Sequence, residues 1–574
     1  TLSIKNELEK ICQNSEFFNK LNISDQTKIN FEIFHFKTSG DQNTSVPLWQ
    51  LKGENFFTKE LDHALLEEKV DLVIHSFKDI GGDRPTNIML AAVPKRSFAH
   101  DIFLIKDSVI AKLFSGEKKE LIVGTSSPRR SYLLKAELTK IFQSINKDIT
   151  LIQKDLRGNV NTRLKKLYEG QNASENENAQ EYDAIILALA GLERLYSNNK
   201  IVRDNNDDND NSIKRYKDLN FLVLPPSIFP WAPAQGALAV ECRQSEKNNN
   251  SLLYKLLQCI DHPETHNIAL AEKNIFSKYG GGCHQAIGVG IIKIDEHHQI
   301  QIIKGEKDTV DISSTDTINI KQNNPTLDYD FYLNNPNIFI GLPKNKHHDS
   351  NFLGDELIDK VEIPMPISNN SIDYNKNNNF FVTSDYCICR LKEILKNLHN
   401  HKYNHIWCSG IKTMKKLLQD GFWVNGVGDY LGSKEVLSFK ESSFINYTLP
   451  TDNEWYVLTR ENTEGASGND DSLLGEIISC YKYKLNNVSL EFVNKLKNTS
   501  VFYWTSFEQF KIYSTHFPFI NNDSITTYHA TGTGKTYREF KKYFINEKKN
   551  EKKFIIMPFT SIEDFKKWTK KQQI

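Results

Sequence analysis

Arginine is scarce in this chain. Only 13 of its 72 basic residues are arginine, and the rest are lysine. Cysteine is sparse as well: eight are scattered at positions 12, 242, 259, 283, 387, 389, 408 and 480. That spacing fits neither a disulfide framework nor a zinc module and suggests a reducing cytoplasm or organelle matrix. No apolar run approaches the roughly 18 residues of a membrane span. The formal net charge is zero, so no overall field draws the protein to a membrane surface. A nucleic-acid binder would need basic stripes with stacking aromatics, and none is present. A short-period repeat and a signal-peptide pattern are also missing. The lack of an initial Met suggests a fragment or a processed chain. At 574 residues one hydrophobic core is excluded, and three or four domains are expected.

The few arginines are not scattered. Five lie at 129, 130, 157, 163 and 194. The stretch Asp155–Arg194 reads DLRGNVNTRLKKLYEG, then a polar insertion, then EYDAIILALAGLERL. A turn with Arg157, Gly158 and Asn159 opens a predicted helix carrying Arg163. The run Ala184 to Leu189 is short enough for a buried strand, and Arg194 follows it. Upstream, VGTSSPRRSYLL predicts a strand and turn ending at Arg129 and Arg130. Arginine kept at such turns, in a lysine-biased chain, suggests planar, bidentate recognition of carboxylate or phosphate.

Strand–helix alternation runs through most of the chain and argues for α/β architecture. SIKNELEKICQ predicts an amphipathic helix. FEIFHFKTSGD alternates like a strand ending in a turn at Gly40 and Asp41. FFTKELDHALLEEK predicts a helix after Thr58, and DLVIHSFKD a buried strand with a polar end. Residues 101–123 predict two strands around a linker. QNASENENAQ and RDNNDDNDNS have the composition of disordered insertions. GALAVEC predicts a strand, 251–280 two helices, and YGGGCHQAIGVGIIKI a glycine turn before a strand. Residues 345–378, rich in Asn, Asp, Ser and Pro, are the expected interdomain linker. Beyond them FFVTS, IWCSG, WYVLTREN, VFYWTS and FIIMPFTS are strand-like.

Three constellations could carry chemistry. Asp79, with Lys78 beside it, lies where α/β folds place ligands, beyond the carboxyl end of a strand. Such a carboxylate can move protons or stabilise a cation. Cys283 in GGGCH sits in a loop that admits close backbone approach, and its thiol could be a nucleophile or an attachment point. His284 has no partner at metal-ligand spacing, so no metal is expected. GTGKT at Gly532–Thr536 is not a phosphate loop, because the position that needs a first glycine holds His529.

Together, DLVIHSFKD, VGTSSPRR, LRGNVNTRL, YDAIILALAGLERL, PAQGALAVE and GGGCHQAIG resemble hydroxymethylbilane synthase, or porphobilinogen deaminase, over about residues 25–300. The resemblance implies an enzyme that joins four porphobilinogen units into a linear tetrapyrrole, releasing ammonia. It implies a dipyrromethane cofactor bound by a thioether to Cys283 and a catalytic carboxylate at Asp79. Cofactor contacts would come from Lys59, Ser76, Lys78, Thr125, Ser126, Ser127, Arg129, Arg130, Arg157, Gly158 and Asn159, and substrate contacts from Arg163 and Arg194. Positive charge near Asp79 would keep it ionised against the cation formed as the amine leaves. The family's usual Gly-Thr/Ser-Arg-x-Ser segment would fall just before Thr1, and a usual lysine is replaced by Glu54.

WCSGIKTMKKLLQDGFWVNGVGDYLG, WYVLTREN, VFYWTSFEQF and HATGTGKTYREF resemble uroporphyrinogen-III synthase, which closes the tetrapyrrole with inversion of its last ring. Carboxylate contacts are expected at Thr505, Ser506, Thr533 and Thr536. The implied fold is α/β throughout. Two periplasmic-binding-protein-like lobes (1–100 with 219–243, and 101–218) precede a small α+β domain (244–344). The linker and a two-lobed synthase-like domain (379–574) follow. The implied protein is a monomeric, cytoplasmic, bifunctional enzyme of heme biosynthesis. Its rivals are the first enzyme with an inactive appendage, and a two-lobed binder of anionic ligands that needs neither Asp79 nor a modified Cys283.

Overall fold

The computed structural model describes residues 1–14, 29–36, 38, 58–81, 84–169, 181–197, 219–282, 285–320, 324–325, 337–343, 352–363, 372–373, 376–398, 404–448, 453–461, 470–521, 526–546 and 554–572. Both polar insertions, Gly40, Asp41, Glu54, Cys283 and His284 lie outside them. The chain divides into one unit of 1–140, 148–291 and 302–314 and another of 141–147, 292–301 and 315–574.

In the first unit, β1 (Leu72–Ser76), β2 (Ile88–Ala92) and β8 (Leu238–Arg243) form a sheet in the order β1-β8-β2. Five more strands form a second sheet: β3 (Asp101–Lys106), β4 (Glu120–Gly124), β5 (Thr150–Lys154), β6 (Ala184–Ala188) and β7 (Leu219–Val223), in the order β5-β4-β6-β3-β7. β6 is central and β3 lies beside it, and all six residues of β3 are buried. A strand covered on both faces reads as a continuous apolar run, which is why Ala184 to Leu189 was recognisable. β4 runs parallel to β5 and β6, so the carboxyl ends of all three point to one edge.

Three expectations change here. Residues 219–223 do not close the first sheet: β7 pairs with β3, Ile102 opposite Val223, and only β8 returns to β1. The expected linker between β3 and β4 is a helix, Asp107–Phe114, burying Val109, Ile110 and Leu113. Residues 31–36 of FEIFHFKTSGD are not a strand, and Phe34 faces solvent. Alternation alone does not make a strand, and among the described residues none pairs with this segment.

After the helices Leu252–Ile260 and Pro263–Ser277 come β9 (Ala286–Lys293), β10 (His298–Lys307), β11 (Val310–Asn319) and β12 (Asn324–Pro325), ordered β12-β11-β10-β9. The second unit holds β13 (Asn337–Pro343), β14 (Phe352–Asp355), β21 (Thr499–Trp504), β22 (Thr527–Gly532) and β23 (Phe554–Phe559) in one sheet, β14-β13-β21-β22-β23. The other sheet is β15-β20-β19-β16-β17-β18. Its strands are β15 (Ile358–Glu362), β16 (Asn378–Val382), β17 (His405–Cys408), β18 (Gly426–Val427), β19 (Glu454–Arg460) and β20 (Glu476–Leu485). The stretch expected as a linker thus supplies β14 and β15, while β13, expected in the preceding domain, pairs in parallel with β21. The polar sequence around these short strands hid them. Phe339, Leu357 and Ile358 are buried with Trp504, Tyr513 and Phe540. Where the chain passes from β14 to β15, the Asp355 carboxylate accepts the N–H groups of Leu357 and Ile358, each at 3.0 Å. No described helix is long and apolar enough to cross a membrane.

Candidate active site

Asp79 ends a 3-10 turn, Phe77–Asp79, that follows β1 directly. Phe77 and Ile80 are buried on either side of it, so the turn is pinned by two apolar anchors while Asp79 stays exposed. Ser76 is half-buried, and its backbone pairs with Leu238. Burial pushes the Lys78 ammonium below the usual lysine range, against the pull of Asp79.

The arginines come from three adjacent strand ends. After β4, Thr125 is buried, and the Ser126 hydroxyl donates to the Leu156 carbonyl (3.1 Å) and accepts its N–H (2.9 Å). That exchange ties the turn after β4 to the turn after β5. Ser127 caps the helix Pro128–Leu133, whose first turn carries Arg129 and Arg130. After β5, Gly158 has φ +116°, and a Cβ there would lie 2.6 Å from Thr162 Cγ2. Asn159 Oδ1 accepts the N–H and hydroxyl of Thr162, both at 2.9 Å, and starts the helix Val160–Glu169. Arg163 on that helix donates back to the Gly158 carbonyl at 2.7 Å. After β6, Arg194 donates to the Gly236 carbonyl at 3.0 Å.

These five do not play one role. Arg129 and Arg130 are buried and each lies 2.7 Å from Asp101, a fully buried carboxylate at the start of β3. Gln235 also donates to Asp101, at 2.9 Å. Burial alone would raise the Asp101 carboxyl, but Arg129, Arg130 and Gln235 outweigh it and hold it well below the usual carboxylate range. Arg157 and Arg163, by contrast, form no ion pair among the described residues. Burial, then the charges of Arg130 and Arg157, push the Arg163 guanidinium down to about 10, with Asp79 opposing. Burial likewise lowers Arg194, again with Asp79 opposing. One carboxylate, Asp79, is therefore within electrostatic reach of Lys78, Arg163 and Arg194. Lys59 opens the helix Lys59–Leu66 and is exposed, and no described contact joins it to this cluster. Asp101 and Gln235 were missed because a lone Asp before an apolar strand reads as a boundary.

Among the described residues, one trio could share a metal ion: Asp62, His75 and Glu241. Arg84 already donates to both carboxylates, to Asp62 at 2.6 and 2.8 Å and to Glu241 at 2.5 and 2.9 Å. A fork of donors on both carboxylates is an ion-pair core, not a cation cage.

In the second unit, Thr505 donates to Gln509 Oε1 (3.0 Å) and to the Gly341 carbonyl (3.2 Å), and Ser506 caps the helix Phe507–His516. Thr536 lies 3.5 Å from the Thr505 carbonyl. These residues gather at the neighbouring carboxyl ends of β21 and β22. Thr533 is buried and donates to the Tyr430 carbonyl at 2.9 Å.

In the first unit, the ends of adjacent parallel strands in an α/β sheet bring guanidinium groups near the exposed carboxylate of Asp79. Residues 8–251 match the family model described as "Porphobilinogen deaminase, dipyromethane cofactor binding domain". The porphobilinogen deaminase of Nostoc sp. is 33% identical over 261 residues, covering 46% of this chain and 68% of that one. That of Bacillus cereus is 34% identical over 272 residues, covering 47% and 73%. The chain belongs to the porphobilinogen deaminase family, and the matched region is its dipyrromethane cofactor-binding domain. A uroporphyrinogen-III synthetase structure from Helicobacter pylori is 15% identical and covers 41% of this chain and 100% of its own, at a TM-score of 0.27. That score is too low to bear on the second unit.

The donor set suits the cofactor's chemistry. Arg157 and Arg163 carry positive charge with no carboxylate partner among the described residues, and dipyrromethane bears acetate and propionate side chains.

Proposed function

We propose that the protein is a hydroxymethylbilane synthase that links four porphobilinogen units head to tail. The observation that carries this reading is the pair Arg157 and Arg163, which form no ion pair among the described residues, with Arg163 within electrostatic reach of Asp79. When bound, dipyrromethane supplies a nucleophilic pyrrole as the primer to which substrate is joined. Arg157, Arg163 and Arg194 bind the acetates and propionates and orient the incoming ring. Lys78 and Asp79 lie side by side at the strand end. Asp79 assists proton transfer as the substrate's amine leaves, and its carboxylate faces the positive charge left on that ring. Cys283, just beyond the described Gly280–Gly282 turn, is the attachment point. Intact mass of protein made with porphobilinogen available tests this; an unmodified Cys283 would refute it.

The second unit is read as a uroporphyrinogen-III synthase. Its support is the motif resemblance and the gathering of Thr505, Ser506 and Thr536 at adjacent parallel strand ends, where ligands of α/β sheets bind. A cyclase on the same chain suits an intermediate that otherwise closes spontaneously to the wrong isomer. A monomer in the cytoplasm, with two periplasmic-binding-protein-like lobes in the first half, belongs to the same reading. Incubating the chain with porphobilinogen and oxidising the product tests both halves. Type III uroporphyrin means both work; type I means the second does not cyclise; no product sinks the reading of the first.

A further inference from the structure

We propose that Lys273 is a positioning residue for the reaction: its ammonium group clamps the turn that presents Asp79. Lys273 lies on the helix Pro263–Ser277. Its Nζ donates to the Ile80 carbonyl at 2.5 Å and lies 3.4 Å from the Lys78 carbonyl, bracketing Asp79 on both sides along the backbone. It also sits 5.7 Å from the centre of the Phe77 ring, a cation–π distance. Ala269, one helical turn earlier on the same face, is buried in the cluster holding Phe77 and Ile80. The helix therefore meets the turn twice, through an apolar contact and a cation. A short 3-10 turn leaves its carbonyls without helical partners. An ammonium has three donors and can satisfy two carbonyls at once. The same helix runs on to Gly280–Gly282 and then, in sequence, to Cys283. The cation that fixes the carboxylate is thus carried by the element leading to the attachment cysteine. Misplacement of a reacting group by about 1 Å costs up to about a hundredfold in rate.

This inference rests on the assignment of Asp79, so the test carries two separate readouts. The cofactor-loaded full chain is compared with Lys273→Met and Lys273→Arg. Steady-state kinetics with porphobilinogen give kcat and KM, intact mass gives cofactor occupancy, and amide exchange by mass spectrometry follows the peptide spanning residues 76–81. For Lys273→Met, kcat falls about tenfold or more with KM within about threefold, occupancy is unchanged, and exchange in 76–81 quickens. Lys273→Arg, which keeps charge and donors, restores kcat to within about threefold. A Lys273→Met enzyme with wild-type kcat overturns the proposal, as does a loss of rate without faster exchange in that peptide. Should the methionine variant not fold, Lys273→Gln is measured in its place. If the wild-type chain turns over no porphobilinogen, the function assigned to Asp79 fails, and unchanged exchange in 76–81 would separately overturn the clamp.

Discussion

Replacing Asp79 by asparagine removes a charge while keeping the shape of the side chain. Asp79 is exposed, so Asp79→Asn should leave the free energy of urea unfolding within about 0.5 kcal/mol of wild type. Turnover should fall by about 10²- to 10⁴-fold; wild-type turnover would remove Asp79 from its role. Cys283→Ser should yield protein without a thioether-linked cofactor, and a covalent adduct on that variant would contradict the attachment site. Asp101 makes the opposite prediction, of stability. It is buried between Arg129 and Arg130, and Asp101→Asn strands two guanidinium groups at a cost of about 3–5 kcal/mol. Its folded-state carboxyl is held below the unfolded value of about 3.9. The pair's contribution is therefore complete above about pH 5 and is lost as pH falls below about 4 towards the folded value. The stability gap between wild type and Asp101→Asn should be flat from pH 8 to 5 and narrow by about 1 kcal/mol at pH 3. A gap that widens there would contradict the ion pair. The arginines themselves were legible in the sequence because they are rare and follow turn residues. Their division of labour was not, because Asp101 lies 28 and 29 positions before them and reaches them only through the sheet.

The turn from Arg157 to Asn159 places two arginines with one glycine. Gly158→Ala forces a side chain into left-handed backbone and against Thr162, which should cost about 1–3 kcal/mol in stability. Because that turn carries Arg157 and aims Arg163, KM for porphobilinogen should rise as well. A variant with normal KM and stability would mean that the turn holds neither arginine in place. The helix after it was predictable from the turn of Arg157, Gly158 and Asn159 that opens it, and the strands β4 and β6 from short apolar runs. Strands β14 and β15 were not, since FLGD and IDKVE lie within a stretch that looks like linker; they become strands by pairing, β14 against β13 and β15 against β20 with Ile358 opposite Leu485. Residues 31–36 failed the other way, with a strand pattern but no strand pairing among the described residues.

At the scale of the molecule, the prediction concerns product rather than fold. Thr505 and Thr536 come from adjacent strand ends of the second unit. Changing both to valine removes two hydroxyls at nearly constant volume, while the Gly341 carbonyl keeps the Gln509 donor at 3.0 Å. A hydrogen bond to a carboxylate contributes about 1.5–3 kcal/mol, so type III formation should fall about tenfold or more. Porphobilinogen consumption should be unchanged, and the product should shift to type I. An unshifted isomer ratio would clear these threonines of any part in cyclisation.

Sequence by itself determined the α/β class, the arginine-bearing turns, Asp79 at a strand end and the order of the motifs, because each depends on local pattern: apolar run length, turn chemistry and spacing. Tertiary structure decided that Arg129 and Arg130 pair with Asp101, while Arg157 and Arg163 form no ion pair among the described residues. It also decided that β7 joins the second sheet, that the supposed linker is sheet, and that Lys273 grips the turn of Asp79. Each of these rests on pairing between residues far apart in the chain, and no local propensity records where a distant partner lies.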